Sequence, residues 1–212
     1  GRVAVADLYN NRVHVFDRQG NYLTTVGGLY GAASGELRSP AAVQYDPTGA
    51  LLVADPDSHR VQRYVNHVPD WAQRNINGFG TPDNRLILSL ARFGGLLYAG
   101  VDNGVSGGQL WRADGASAGG WSAVTSDGFG DPNNGGINHL LVYNNQLYAG
   151  TWNWNDVTNT STGGQIWRSA DGLNWTRLIS AGFGTAANGE IFRFAEFNGA
   201  LYATTWSYTD GR

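Results

Sequence analysis

The chain contains no cysteine and no methionine. The missing thiols exclude disulfides, thiolate metal sites and a cysteine nucleophile, and they leave the redox compartment open. With no initiator methionine and no visible signal peptide, the sequence reads as a mature, trimmed or engineered segment. Charge is also sparse. Asp, Glu, Lys and Arg make up 15% of the residues, against roughly 25% in ordinary domains. The net charge is −3 and no run of Lys or Arg forms a basic stripe, which argues against a nucleic-acid partner. No apolar run approaches the ~18 residues of a membrane-spanning helix.

Glycine is abundant, with 31 residues in a chain of 212, about twice the usual share of roughly 7%. Hydrophobic residues reach 42% and aromatics 12%, so the glycines signal tight turns in a folded chain and not disorder. The turns recur. GFG begins at Gly78, Gly128 and Gly182. LLYAG at Leu96, QLYAG at Gln146 and ALYAT at Ala200 keep the same spacing, about 50 residues. GGQLWRADGASAGGW, from Gly107, is matched by GGQIWRSADGLNW, from Gly163. The first third repeats differently, with VADLYNNRVHVF at Val5 and VADPDSHRVQRY at Val53. Each later unit reads as four short alternating strands separated by Gly, Asn and Asp, and no stretch holds a helical period. The expected fold is all-β: a β-propeller of four-stranded antiparallel blades.

Two resemblances agree with that count. Residues 1–65, through VAD…N-R-V…F and S-P-A-A-V…D-P-T-G…VAD…H-R-V, resemble NHL repeats. SADGLNW, Ser169 to Trp175, resembles the Asp-box turn of sialidase-like (BNR) propellers, and residues 78–212 are taken with it. The copy before Trp121 lacks the Ser and carries an insertion. Both families are propellers, so the whole chain, 1–212, is expected to be a single propeller domain, a fragment or a fusion of two propeller pieces. The strands group as three, then three sets of four, then two, which is about four to five blades. Closure would come from a composite blade or from a homodimer that completes the ring, because an open sheet edge is an aggregation hazard.

In a propeller, loops entering the innermost strand and loops joining the second strand to the third share one face. That face is expected to collect Asp83, Arg85, Asp131, Asn134, Asn138, His139, Glu190 and Arg193 with the aromatics Trp152, Trp154, Trp206 and Tyr208. It also carries the one long insertion in the repeat, TWNWNDVTNTST from Thr151, and insertions on one face of a repeat protein often mark its binding face. Trp rings beside amides and charges suit a glycan, whose apolar face stacks on the ring. They suit a protein partner equally, since Trp, Tyr and Arg dominate such interfaces. His14 and His59 read as strand and turn residues.

No nucleophile elbow, Walker loop, dinucleotide fingerprint or H-E-x-x-H is present. The leading expectation is therefore a binding module for a glycan or protein, without a cofactor. The alternative is a propeller hydrolase, either glycosidase-like or a calcium-assisted lactonase or phosphotriesterase. Asp83 and Asp131 would be weak metal ligands in the second version. Either reading goes with an extracellular or periplasmic location.

Overall fold

The computed structural model describes residues 1–65, 72–113, 120–125, 127–155, 157–158 and 160–207. The chain divides into two compact units, Gly1–Ile87 with Gly115–Trp121, and Leu88–Asp114 with Ser122–Arg212. Among the described residues the register pairs between strands are antiparallel, and one isolated bridge, Tyr30 to Leu37, is parallel.

The first unit holds two sheets. β1 (Arg2–Asp7), β2 (Arg12–Asp17) and β3 (Tyr22–Gly27) form one. β4 (Ala42–Tyr45), β5 (Leu51–Asp55), β6 (Arg60–Tyr64) and β7 (Ala72–Gln73) form the other. Alternation puts Val13, Val15 and Val26 of the first sheet against Leu37, Leu51 and Val53. Aspartates shape the tight turns. Asp17 Oδ1 accepts the Gln19 and Asn21 amides at 2.9 and 2.8 Å, and Asp46 Oδ1 accepts those of Thr48 and Ala50 at 2.8 and 3.0 Å.

The second unit is built around one connected strand network. β8 (Leu86–Phe93), β9 (Leu96–Asp102), β10 (Gln109–Ala113) and β11 (Trp121–Thr125) form a meander. β12 (Gly136–Tyr143), β13 (Gln146–Trp152), β14 (Ile166–Ser169) and β15 (Thr176–Ile179) repeat it, and β16 (Glu190–Phe197) and β17 (Ala200–Trp206) begin it again. Single register pairs join successive meanders, Asp102 to Gly136 and Trp152 to Glu190.

The repeated motifs have a structural role. In each GFG turn the Phe lies in the left-handed region, with φ of 54°, 60° and 61° at Phe79, Phe129 and Phe183. An Asn six residues after the first Gly closes the turn. Asn84, Asn134 and Asn188 donate Nδ2 to the carbonyls of Gly78, Gly128 and Gly182 at 2.8, 2.8 and 3.0 Å. The GG pair of one repeat docks on the GFG turn that follows it. Gly128 N donates to Gly108 O and Gly182 N to Gly164 O, both at 3.0 Å. The next residue, Gln, accepts the indole hydrogen of the Trp two positions on, Trp111 to Gln109 at 2.8 Å and Trp167 to Gln165 at 3.0 Å. Phe129 then stacks on Trp167, centroids 4.8 Å apart and 14° between planes, with Trp175 at 5.2 Å.

Packing between meanders reuses one contact. Gly150 lies so close to β16 that a Cβ there would stand 2.7 Å from Ile191 Cγ2, and Gly100 approaches Ile137 in the same way. Tyr98 and Tyr148, two residues earlier, are buried. In β17 the same positions are Thr204 and Tyr202, and Tyr202 is exposed together with Phe197 and Trp206.

Candidate functional site

The register pairs line up a row of five residues across five strands. Asp102 pairs with Gly136, Gly136 with Trp152, Trp152 with Glu190, and Glu190 with Trp206. Glu190 therefore sits at the start of β16 between the two tryptophans that end β13 and β17. Directly opposed residues in a sheet project from the same face, so the row sets the Glu190 carboxyl between two indoles and carries the buried Asp102 carboxyl at its far end.

Asn138 joins them from β12. Its Nδ2 donates to Glu190 Oε1 at 2.5 Å and lies 3.3 Å from Ile191 O. Asn138 itself is buried, while Glu190 is half-buried. Burial raises the Glu190 carboxyl above its usual range, against the lowering pull of the Arg193 guanidinium and the Asn138 hydrogen bond. The result is a desolvated acid with one oxygen held by an amide.

His139 sits one residue further along β12, at a register irregularity between Ile137 and His139. The Phe194 backbone N–H donates to its Nδ1 at 3.0 Å, which leaves the proton of the neutral ring on Nε2. Burial pushes the imidazole down to about 4, and Arg193 adds to the shift, so the ring is neutral at physiological pH. Arg193 is exposed, donates to Phe192 O at 2.7 Å and lies over the Phe192 ring at 4.4 Å. Phe192 in turn lies 6.2 Å from Trp206, extending the aromatic surface. Phe192 is absent from the sequence reading. It occupies the repeat position that holds Asn138 and Leu88, so comparing the repeats position by position would have found it.

Six expected residues thus form one neighbourhood: Asn138, His139, Trp152, Glu190, Arg193 and Trp206. Trp206 is 43% exposed, enough to offer a ring to a ligand. Trp152 is half-buried, packs on Gly136 and has a buried Nε1 with no hydrogen-bond partner among the described residues. Trp154 is half-buried, with its carbonyl against Gly135, beside the start of β12. The inserted loop that carries it is ordered by asparagines. Asn155 Oδ1 accepts the Val157 and Thr158 amides, both at 2.9 Å, and Asn153 Oδ1 accepts that of Thr162 at 2.6 Å.

The structure does not draw in the others. Arg85 and Asp83 are exposed residues just before β8. Asp131 works as a brace: Oδ1 accepts the Asn133 amide at 3.0 Å and Oδ2 accepts Gln165 Nε2 at 2.7 Å. Among the described residues, no three His, Asp or Glu side chains converge as a metal site. Tyr208 lies outside the described residues.

No family model and no curated protein matches the sequence. Solved structures resemble the fold. A virginiamycin B lyase from Staphylococcus aureus superposes with a TM-score of 0.55 at 12% identity, covering 84% of this chain and 52% of its own. A gluconolactonase from Xanthomonas campestris gives 0.60 at 17% identity, covering 96% and 65%. YCF48 bound to D1 peptide gives 0.58 at 12% identity, covering 97% and 57%. The chain thus spans about half to two thirds of the length of these structures. They are propeller-type proteins, and at such low identity the likeness establishes fold alone: this chain is an all-β protein of antiparallel sheets with a propeller-type fold.

Proposed function

We infer that this chain is a ligand-binding propeller module whose site is the Glu190–Asn138 pair flanked by Trp152 and Trp206, and that its ligand is a neutral glycan. The observation that carries this reading is the register row that sets a half-buried carboxyl between two indoles. A pyranose offers an apolar face to a ring and hydroxyls to a carboxylate and an amide. Trp206 and Phe192 supply the rings, and Glu190 with Asn138 supplies the polar anchors. The NHL-like and Asp-box-like resemblances fit the reading, since both describe propellers, and an extracellular or periplasmic location goes with a glycan ligand.

The test is a neutral-oligosaccharide array followed by calorimetry on the best ligand. Trp206→Ala and Glu190→Gln should each weaken binding by about tenfold or more, the loss of one stacked ring or one charge-assisted hydrogen bond. Array binding that survives both substitutions sinks the proposal. Binding of a peptide that is lost with the same two variants would move the site to a protein partner.

The raised Glu190 carboxyl favours a second reading, an enzyme that uses Glu190 as a general acid. The lyase and gluconolactonase likenesses support it at the level of fold. This reading is built on Glu190 and needs no calcium: Asp131 braces its turn and Gln165, and Asp83 is exposed just before β8. Turnover of a lactone or glycoside that Glu190→Gln abolishes would select this reading.

A further inference from the structure

Two loops of the first unit display large side chains that its core does not use. Tyr9, in the turn between β1 and β2, is 93% exposed, and Leu29 and Tyr30, in the loop from β3 to β4, are 69% and 66% exposed. Asn11 ties the two loops together. Its carbonyl accepts the Gly28 amide at 2.8 Å, and its Oδ1 accepts the Ser39 amide at 3.1 Å. Exposure belongs to this turn position, because Asp57, the counterpart of Tyr9 in the matching turn after β5, is exposed as well. A carboxylate is well solvated there. A phenol ring at the same address leaves apolar surface in water, beside two more apolar side chains.

The loop that carries Leu29 and Tyr30 is firmly held. Leu37 is fully buried beneath it. Arg60 Nη1 donates to Ala32 O at 2.6 Å, and its Nη2 to Ala33 O and Glu36 O at 3.1 and 2.9 Å. Gln62 Nε2 adds a bond to Glu36 O at 2.7 Å. The Leu37 amide closes the loop on Leu29 O at 3.1 Å. A loop fixed by these bonds has already lost its conformational freedom, so a partner meets it without a large ordering cost.

Arg38 gives the surface its charge preference. Of the other charged residues at these loops, Arg12 pairs with Asp7 at 2.9 Å, and Glu36 Oε2 accepts the Ala33 amide at 2.9 Å. The half-buried Arg38 side chain has no such partner. Its Cζ lies 5.3 Å from the centroid of the Tyr30 ring. Among the described residues no acceptor meets its buried Nε, and no carboxylate stands within ion-pair distance of it. An unpaired guanidinium in partly desolvated surroundings is unfavourable, and its planar fork matches a carboxylate.

We propose that Tyr9, Leu29, Tyr30 and Arg38 form a docking surface for a protein segment that carries an acidic side chain next to an apolar one. The acid pairs with the Arg38 fork beside the Tyr30 ring, and the apolar residue packs on Leu29 and Tyr9. Tyrosine and arginine anchors dominate the binding energy of protein interfaces, and here they stand on a rigid frame.

The test selects phage-displayed random peptides on the immobilised full chain. The enriched sequences are then titrated as labelled synthetic peptides, with fluorescence polarisation as the readout. They should carry Asp or Glu beside a leucine or an aromatic residue. Arg38→Ala should weaken their binding about tenfold or more, the share of charge-assisted hydrogen bonds to a guanidinium. Arg38→Lys should recover only part of it, because a point charge lacks the fork. Tyr30→Ala and Leu29→Ser should each weaken binding too, and both change exposed side chains that the core does not use. One comparison needs no variant protein: an enriched peptide with its acid replaced by the amide should not bind the unaltered chain. No enrichment, enriched peptides without an acid, or equal binding by the Arg38→Ala chain overturns the proposal. Displacement of the peptide by free acetate, by single-stranded RNA or by a neutral oligosaccharide, each at the peptide's own concentration, also overturns it, because it assigns the contact to another ligand.

Discussion

Asn138 and Glu190 are 52 residues apart in the chain and 2.5 Å apart in the structure, the amide of β12 donating to the carboxylate of β16. The contact fixes one oxygen of an acid that burial has already made costly to ionise. Burial of an ionisable group in that state costs the fold, which fits the ligand-binding role proposed for Glu190.

Glu190→Gln should therefore separate binding from stability. The glutamine Oε1 can still accept from Asn138, and the desolvated charge is gone. Folding stability at pH 7 is expected to stay level or rise, while glycan binding falls. Urea melts beside calorimetry check this. A variant that loses stability and binding together would assign Glu190 a scaffold role.

His139 makes the fold acid-sensitive. Its folded value of about 4 lies below the ordinary 6.5, so between those values the unfolded chain takes up a proton that the folded chain refuses. Stability should fall as pH drops from 6.5 towards 4, by on the order of 2 kcal/mol from this residue. His139→Phe should flatten that part of the pH profile. Denaturant melts at pH 7 and pH 4.5 with and without the substitution measure it, and parallel profiles would refute the assignment.

Asp171 organises the β14–β15 turn and nothing at the site. Its Oδ1 accepts the Leu173 and Asn174 amides, both at 2.8 Å, and its Oδ2 accepts Asn174 Nδ2 at 2.8 Å. Those bonds, led by the Asn174 amide, hold the carboxyl well below the usual carboxylate range. Asp171→Ala should lower the melting temperature by several degrees and leave ligand affinity unchanged. Asp171→Asn, which keeps an acceptor, should cost less. A change in affinity with either would contradict the separation.

Gly150 and Thr204 occupy the same repeat position under different packing. A methyl at Gly150 meets Ile191 Cγ2 at 2.7 Å, so Gly150→Ala should destabilise by about 1–3 kcal/mol through overpacking. Thr204→Ala, at an exposed position against which no further strand packs among the described residues, should be close to neutral. Chemical denaturation of the two variants distinguishes them, and similar costs would show that β17 is covered in solution.

The strands were legible in the sequence because their signals are local. GFG, the LYAG-type runs and the Trp-Arg pairs recur at intervals of 50 to 56 residues, and the turns between them use Gly, Asn and Asp for conformations that few other residues adopt. The tryptophans ending β13 and β17 could be placed for the same reason. Other parts depend on pairings between strands that no interval encodes. The Phe194 amide closes on His139 only through the approach of β16 to β12. Asp131 looked like a metal ligand as one residue of an oxygen-rich loop, and its commitment to Gln165, 34 residues on, is a tertiary contact. Phe192 stands where the preceding repeat has Asn138, and neither a charge nor an indole marks it in the sequence.

The row from Asp102 to Trp206 has a consequence for how such a surface diversifies. Its residues come from two fixed addresses per repeat, the first residue of the inner strand and the last of the second. The turns, the Asn clasps and the glycine contacts all lie at other addresses. A duplication that copies the scaffold faithfully can therefore rewrite this row at those addresses alone, as Leu86, Gly136 and Glu190 differ at the first and Asp102 and the two tryptophans at the second.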